Sequence, residues 1–269
     1  MPNNALNVFW VRPVKILKEP LNNGDGDTSF AGAYNVTSLP HVIPSGSSKL
    51  DLYLLALNNA RNATRPLDVD TYTAGARFHT TPRPWEADVE LDWQFGQLGN
   101  ESLSSWSFAS ELAYNFESLA TTPRAWIGFD AASGSRDGRH TFNPLFPPQY
   151  IYLGHIYVFS RQNLIDAHAG LSLHLTPQVT LSAEQHFFWR QNTNAPVFNV
   201  KGDLLLVDPA SHAAALGNEL DIWVTWQIQR HVSAYMGYAH FFAGAFVSDA
   251  DAGQDQDIDF FYAAITFTF

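Results

Sequence analysis

Four acidic residues occupy every second position from 86 to 92: Glu86, Asp88, Glu90 and Asp92. Side chains of an extended strand alternate between faces, so this spacing puts all four carboxylates on one wall. Such a wall attracts cations, and at the least it stays wet and fixes the register of its strand. Arg77 precedes the tight turn at 80–84 and falls across it from Glu86 and Asp88. Part of the charge is therefore expected to be paired, at about 0 to 1 kcal/mol for a partly exposed pair. A second constellation forms across Thr176-Pro177. A hairpin turning there sets His168 opposite His186, with Asp166 and Glu184 on the same face and Asp221 of the following strand within reach. Two imidazoles with carboxylates can hold a divalent metal or respond to pH. The plainer expectation is a set of polar side chains on a wet face, with no metal and no cofactor. No serine accompanies them and no spacing matches a hydrolase motif, so no catalytic residue is assigned.

These side chains share faces only if the chain forms strands, and its patterning says that it does. In 85–95, Trp85, Ala87, Val89, Leu91, Trp93 and Phe95 point one way, and Glu86, Asp88, Glu90, Asp92 and Gln94 the other. Strict alternation of this kind marks a strand with one apolar and one wet face. Leu220, Ile222, Val224, Trp226 and Ile228 repeat the apolar face opposite Glu219, Asp221, Thr225 and Gln227. About twelve such segments, each of about ten residues, lie near 5–16, 28–38, 48–58, 68–79, 85–96, 103–117, 123–134, 162–175, 178–190, 218–229, 232–242 and 258–269. Short connectors at 39–47, 80–84, 118–122, 176–177 and 230–231 alternate with long ones at 17–27, 135–161, 191–217 and 243–257. Residues 59–66 and 97–102 are milder members of the long set. Tight turns on one rim and large loops on the other are the pattern of an outer-membrane barrel.

Composition agrees. The 269 residues carry a net charge of −11 and no Cys, which removes disulfides and thiolate metal sites and argues against nucleic acid as a partner. Mean hydropathy is −0.14. No apolar run nears the roughly 20 residues of a membrane-spanning helix, whereas a barrel needs only every second strand residue apolar. The expectation is an all-β, antiparallel up-and-down transmembrane barrel with residues 1–269 as one domain. The chain enters a strand pattern almost at once, without a signal peptide, so this is expected to be an N-terminally truncated part of a larger barrel.

Strand phase then assigns the lumen. Arg12, Arg77, Arg124 and Arg190 face inward, against Asp51, Glu86, Asp88, Glu90, Asp92, Glu111, Asp130, Asp166, Glu184, Glu219 and Asp221. Trp85, Trp93, Trp106, Tyr114, Phe116, Trp189 and Trp226 are expected in the interfacial girdles, where lipid and lipopolysaccharide are the partners. The loop 135–161 is long and rich in Pro and aromatics: Phe142, Pro144, Phe146, Pro147, Pro148, Tyr150 and Tyr152. Its rings do not belong in water, so it is expected to fold over or into the mouth and narrow it. Arg136, Arg139 and His140 are its basic contacts for an anionic solute. The segment Ser248–Asp259 places carboxylates around Gly253. A solvated loop is expected there, the alternative being Ca²⁺ or Mg²⁺ bridging to lipopolysaccharide; an EF-hand would need a Glu at the twelfth position.

Several segments resemble one family. They are Val8-Phe-Trp-Val-Arg-Pro-Val14, Thr141-Phe-Asn-Pro-Leu-Phe-Pro147 with Tyr152-Leu-Gly154, Asn163-Leu-Ile-Asp166, Gln185-His-Phe-Phe-Trp189, Gly217-Asn-Glu-Leu-Asp221 and Gly237-Tyr-Ala-His-Phe-Phe-Ala-Gly244. In this order they are similar to the bacterial alginate export family. The resemblance implies an eighteen-stranded outer-membrane barrel of a Gram-negative bacterium that passes a secreted polysaccharide. The alternating segment 257–269 ends on Phe269, a terminal aromatic expected to be read by the outer-membrane assembly machinery. The resemblance also implies an arginine-lined constriction suited to a polyuronate. The acidic wall of this chain departs from that pattern. The function expected is a porin or exporter for a polysaccharide, oligosaccharide or other small polar solute, neutral or cationic ones in preference to alginate. Two alternatives are a membrane-barrel enzyme, in which His240 would need a serine beside it, and a plugged adhesive barrel.

Overall fold

The computed structural model describes residues 4–15, 23–39, 47–61, 67–80, 84–146, 152–250 and 257–269. Twelve strands form one antiparallel sheet in which sequence neighbours are spatial neighbours throughout. They are β1 (Asn4–Val11), β2 (Thr28–Ser38), β3 (Ser48–Asn59), β4 (Val69–Thr80), β5 (Trp85–Leu98), β6 (Glu101–Asn115), β7 (Arg124–Ala132), β8 (Leu164–Thr176), β9 (Val179–Trp189), β10 (Ala215–Gln229), β11 (Val232–Ala243) and β12 (Ile258–Phe267). This is the up-and-down all-β arrangement expected from the alternation. β1 and β12 are not hydrogen-bonded to each other. The wall nevertheless curls around its own interior. Phe30 of β2 packs on Phe146 and Tyr262 of β12 stacks on His155, both partners lying in the connection between β7 and β8.

The sheet is inside-out relative to a water-soluble protein. Val8, Leu54, Leu91, Ile127, Phe261 and Ile265 are exposed on its outer face, whereas Asp92, Gln94, Asp166, Glu219 and Asp221 are buried on its inner face. Exposed apolar area on this scale needs an apolar solvent. Among the described residues no helix is long and apolar enough to cross a membrane.

Three boundaries differ from expectation. β1 stops at Val11 because Pro13 cannot donate to the ladder, and Val14–Lys15 instead pair with Asn23–Gly24. The connection at 97–102 is a two-residue turn on Gly99, whose φ of +60° suits glycine. The expected plain loop after β11 contains a short helix, α1 (Ala245–Ala250), with Phe246 and Val247 buried. Of the acidic loop, residues 251–256 with Gly253 lie outside the described residues.

At the long-loop end the inner face carries an apolar core. Leu164, Phe188, Leu216 and Phe241, each from the end of its strand, meet Leu153 and Phe159 of the β7–β8 connection, Val197 of the β9–β10 connection and Phe246 of α1. Each such side chain stabilises the assembly by about 1.5–3 kcal/mol. Three long connections therefore send side chains into the mouth.

Candidate functional site

Below that core the inner wall encloses a cavity of about 920 Å³. The acidic stripe of β5 lies along it. Asp88 makes a two-pronged pair with Arg77, whose Nε lies 2.8 Å from Asp88 Oδ1. The Tyr53 hydroxyl lies 2.5 Å from Glu90 Oε1 and 2.6 Å from Asp92 Oδ1. Glu86 does not pair with Arg77. Its Oε2 accepts from Arg124 Nε at 2.9 Å, and Arg124 Nη2 donates to Glu111 at 2.6 Å. Among the described residues the lining holds six carboxylates (Asp88, Glu90, Asp92, Glu111, Asp130, Glu184) against three guanidiniums (Arg77, Arg124, Arg161). Every one of those arginines is ion-paired.

The β7–β8 connection crosses this cavity and is fastened at several points. Gln94 is fully buried and clamps Asn143 from both sides, accepting its N–H at 2.8 Å and donating to its carbonyl at 2.6 Å. Arg161 Nη2 donates to Asp130 at 2.8 Å. On β10, Glu219 Oε1 accepts the Ile156 N–H at 2.8 Å and Asp221 Oδ1 lies 3.4 Å from the His155 N. Gly154 lets this approach happen: its φ is +78°, and a Cβ there would lie 2.4 Å from Glu219 Oε1. The His155 ring stacks on Tyr262 at 5.3 Å, and its Nε2 meets the Tyr235 hydroxyl at 2.6 Å.

The β8–β9 register pairs His168 with His186. Asp166 Oδ2 accepts from His168 Nδ1 at 3.0 Å and from His186 Nδ1 at 2.9 Å. Glu184 holds the Trp126 Nε1–H at 2.5 Å. His168, Glu184 and His186 face the cavity, while Asp166 is buried beneath them.

Several residues expected to line the pore stand elsewhere. Arg12 is exposed outside the cavity, over the Trp10 ring at 5.6 Å, because the strand has ended before it. Arg190 is buried above the end of β9, donating to the carbonyls of Ala195, Ser211 and Ala213, with Phe246 at 3.6 Å. Its charge is spent on loop carbonyls. Asp221 is covered by the inserted connection, and Glu86 is held aside by Arg124. In the loop, Phe142, Phe146 and Tyr152 line the cavity. Arg136, Arg139 and His140 do not. Arg136 is exposed, and the other two belong to a rim turn with Asp137 and Glu101. Burial pushes the Asp137 carboxyl up, but hydrogen bonds from the Ser135 hydroxyl and the His140 backbone and ring outweigh it and hold it at about 2. Pro147, Pro148 and Tyr150 lie outside the described residues. Sequence reasoning missed Arg161, His155 and Gln94. Strand phase does place Gln94 on the wet face, but nothing in a loop sequence tells which residues will turn back into a cavity.

No curated protein matches this chain. Among solved structures it is similar to the NanC porin in its rhombohedral crystal form, with a TM-score of 0.41 and 9% identity over 99% of this chain and 99% of that one. The family profile described as "Alginate export" matches residues 2–259. A match over nearly the whole length, on a chain whose strands turn an acidic, loop-crossed interior away from an apolar outer face, settles the family: the chain belongs to the alginate export family.

Proposed function

We propose that this protein is a passive channel in the outer membrane of a Gram-negative bacterium, passing an oligosaccharide or another polar solute that is neutral or cationic. The observation carrying this reading is the charge of the cavity lining, six carboxylates against three guanidiniums that are all ion-paired. A polyuronate entering such a space meets no unpaired guanidinium among the described lining residues, whereas a cation is drawn in by a field that the apolar wall concentrates. Residues 142–146 and 152–161 form the constriction, and the outer face meets lipid and lipopolysaccharide. For the enzyme alternative, His240 lies 2.8 Å from Asp259 and 3.3 Å from the Tyr238 hydroxyl, and among the described residues no serine hydrogen-bonds to it. Reversal potentials of the reconstituted protein across a salt gradient test the proposal. Cation preference is expected, and clear anion selectivity would overturn it.

A further inference from the structure

Two clusters in the wall combine histidine with carboxylate. The outer one, Glu101, Asp137 and His140, is exposed and already holds a cation, since Arg139 lies 3.6 Å from both carboxylates. Among the described residues no Lys or Arg is ion-paired with the inner one, Asp166, His168 and His186. Asp166 Oδ2 sits 2.9 and 3.0 Å from two imidazole nitrogens, and one ligand atom from each residue lies within 4.8 Å of the others. Zinc-like ions with bonds of about 2.0–2.1 Å set neighbouring ligand atoms about 3.3 Å apart in a tetrahedron, so the two Asp166–imidazole distances need open only by tenths of an ångström, while the two imidazole nitrogens, within 4.8 Å of each other, need close by no more than about 1.5 Å.

One further observation points to a missing partner. Asp166 Oδ1 is buried without a hydrogen bond among the described residues, in a side chain exposed by 0%. A carboxylate with one satisfied and one unsatisfied oxygen is costly in a low-dielectric wall. The rings are also held in place. His186 stacks on Phe188 at 5.5 Å, and Gly128 leaves room for His168, since a Cβ there would lie 2.1 Å from its Nε2. Access is open, because both imidazoles face the acidic cavity, which concentrates divalent cations.

We propose that Asp166, His168 and His186 form a binding site for one divalent transition-metal ion, of the class that accepts two imidazoles and a carboxylate. Zn²⁺, Co²⁺, Ni²⁺ and Cu²⁺ suit these donors, whereas Ca²⁺ and Mg²⁺ prefer an all-oxygen set. The metal takes the place of the Nδ1 protons pointing at Asp166; an imidazolium ring releases that proton to solvent and keeps its Nε2–H, so that it coordinates as a neutral imidazole. Glu184, whose Oε2 is 3.4 Å from His186 Nε2, flanks the site as a positioning residue.

The experiment is titration of the full chain in detergent with Zn²⁺ alone, followed by calorimetry in buffers of different ionisation enthalpy to count released protons. One equivalent with micromolar or tighter affinity and proton release is expected. His168→Ala and His186→Ala should each weaken it by at least about 10–100-fold, while His174→Ala, at the far end of the hairpin, leaves it unchanged. Millimolar affinity in the unaltered protein, or variants that bind as tightly as the unaltered protein, would overturn the proposal. Should the variants fail to fold, electron paramagnetic resonance of Cu²⁺ bound to the unaltered protein decides. Coupling to two imidazole nitrogens supports the site, and coupling to none refutes it.

Discussion

Glu219 and Asp221 would read as pore acids from strand phase alone, yet both are fully covered. Their carboxylates face the backbone of the inserted connection, and Glu219 accepts the Ile156 N–H at 2.8 Å. A hydrogen bond of this kind contributes about 0.5–1.5 kcal/mol net, so Glu219→Ala should free the segment at that point without unfolding the wall. Faster amide exchange at Ile156 and a larger open-channel current are the expected signs; unchanged exchange would mean that the apolar core alone holds it. At the rim, Asp137 closes a turn by accepting from the Arg139 N–H at 3.1 Å. Because its carboxyl is held at about 2, below the usual 3.8, the stabilisation is complete above about pH 4 and is lost as pH falls through about 2. Asp137→Asn should therefore loosen residues 135–140 at neutral pH much as strong acid does in the parent, as read from amide exchange in that turn.

At the scale of elements, the β7–β8 connection is an interior partition rather than a surface loop. Asn143, His155, Ile156 and Arg161 tie it to β5, β10 and β7 in turn. Leu153 and Phe159 add apolar burial, at about 1.5–3 kcal/mol each. The strands keep their ladders without it, since every neighbouring pair is hydrogen-bonded along its length. Replacing residues 142–161 by a short Gly and Ser linker should leave a folded barrel that migrates as such in unheated gels, with lower thermal stability and higher conductance. A shortened protein conducting as the parent does would place the constriction elsewhere in the lumen.

For the whole molecule, the relevant quantity is the field inside the wall. Arg124 neutralises Glu86 and Glu111, so Arg124→Gln should strengthen cation preference, while Glu90→Gln with Asp92→Asn should weaken it. The pairs are partly exposed, and losing one should cost stability only about 0–1 kcal/mol. Screening gives a further check. The Debye length shrinks from about 30 Å at 0.01 M to about 3 Å at 1 M salt, so the preference measured by reversal potential should be strong in dilute salt and fade in concentrated salt. Selectivity independent of salt would point to a steric filter.

Strand number, direction and face were legible in the sequence because a two-residue period is local: Trp85 to Phe95 announces its two faces whatever surrounds it. The pairing of His168 with His186 was legible for the same reason, since the tight turn at 176–178 fixes the hairpin register. The family, too, could be read from motifs spread along the whole chain. Strand phase could not say which inward residues meet the cavity. Arg190 and Asp221 have the right phase, but one is buried among loop carbonyls and the other lies under the inserted segment. Nor could it find Arg161 and His155, which come from a connection with no period at all. Those assignments depend on where a long loop comes to rest. That is decided by packing across the barrel, where Gly154, Gln94 and Glu219 meet from distant parts of the chain, and only the tertiary structure brings them together.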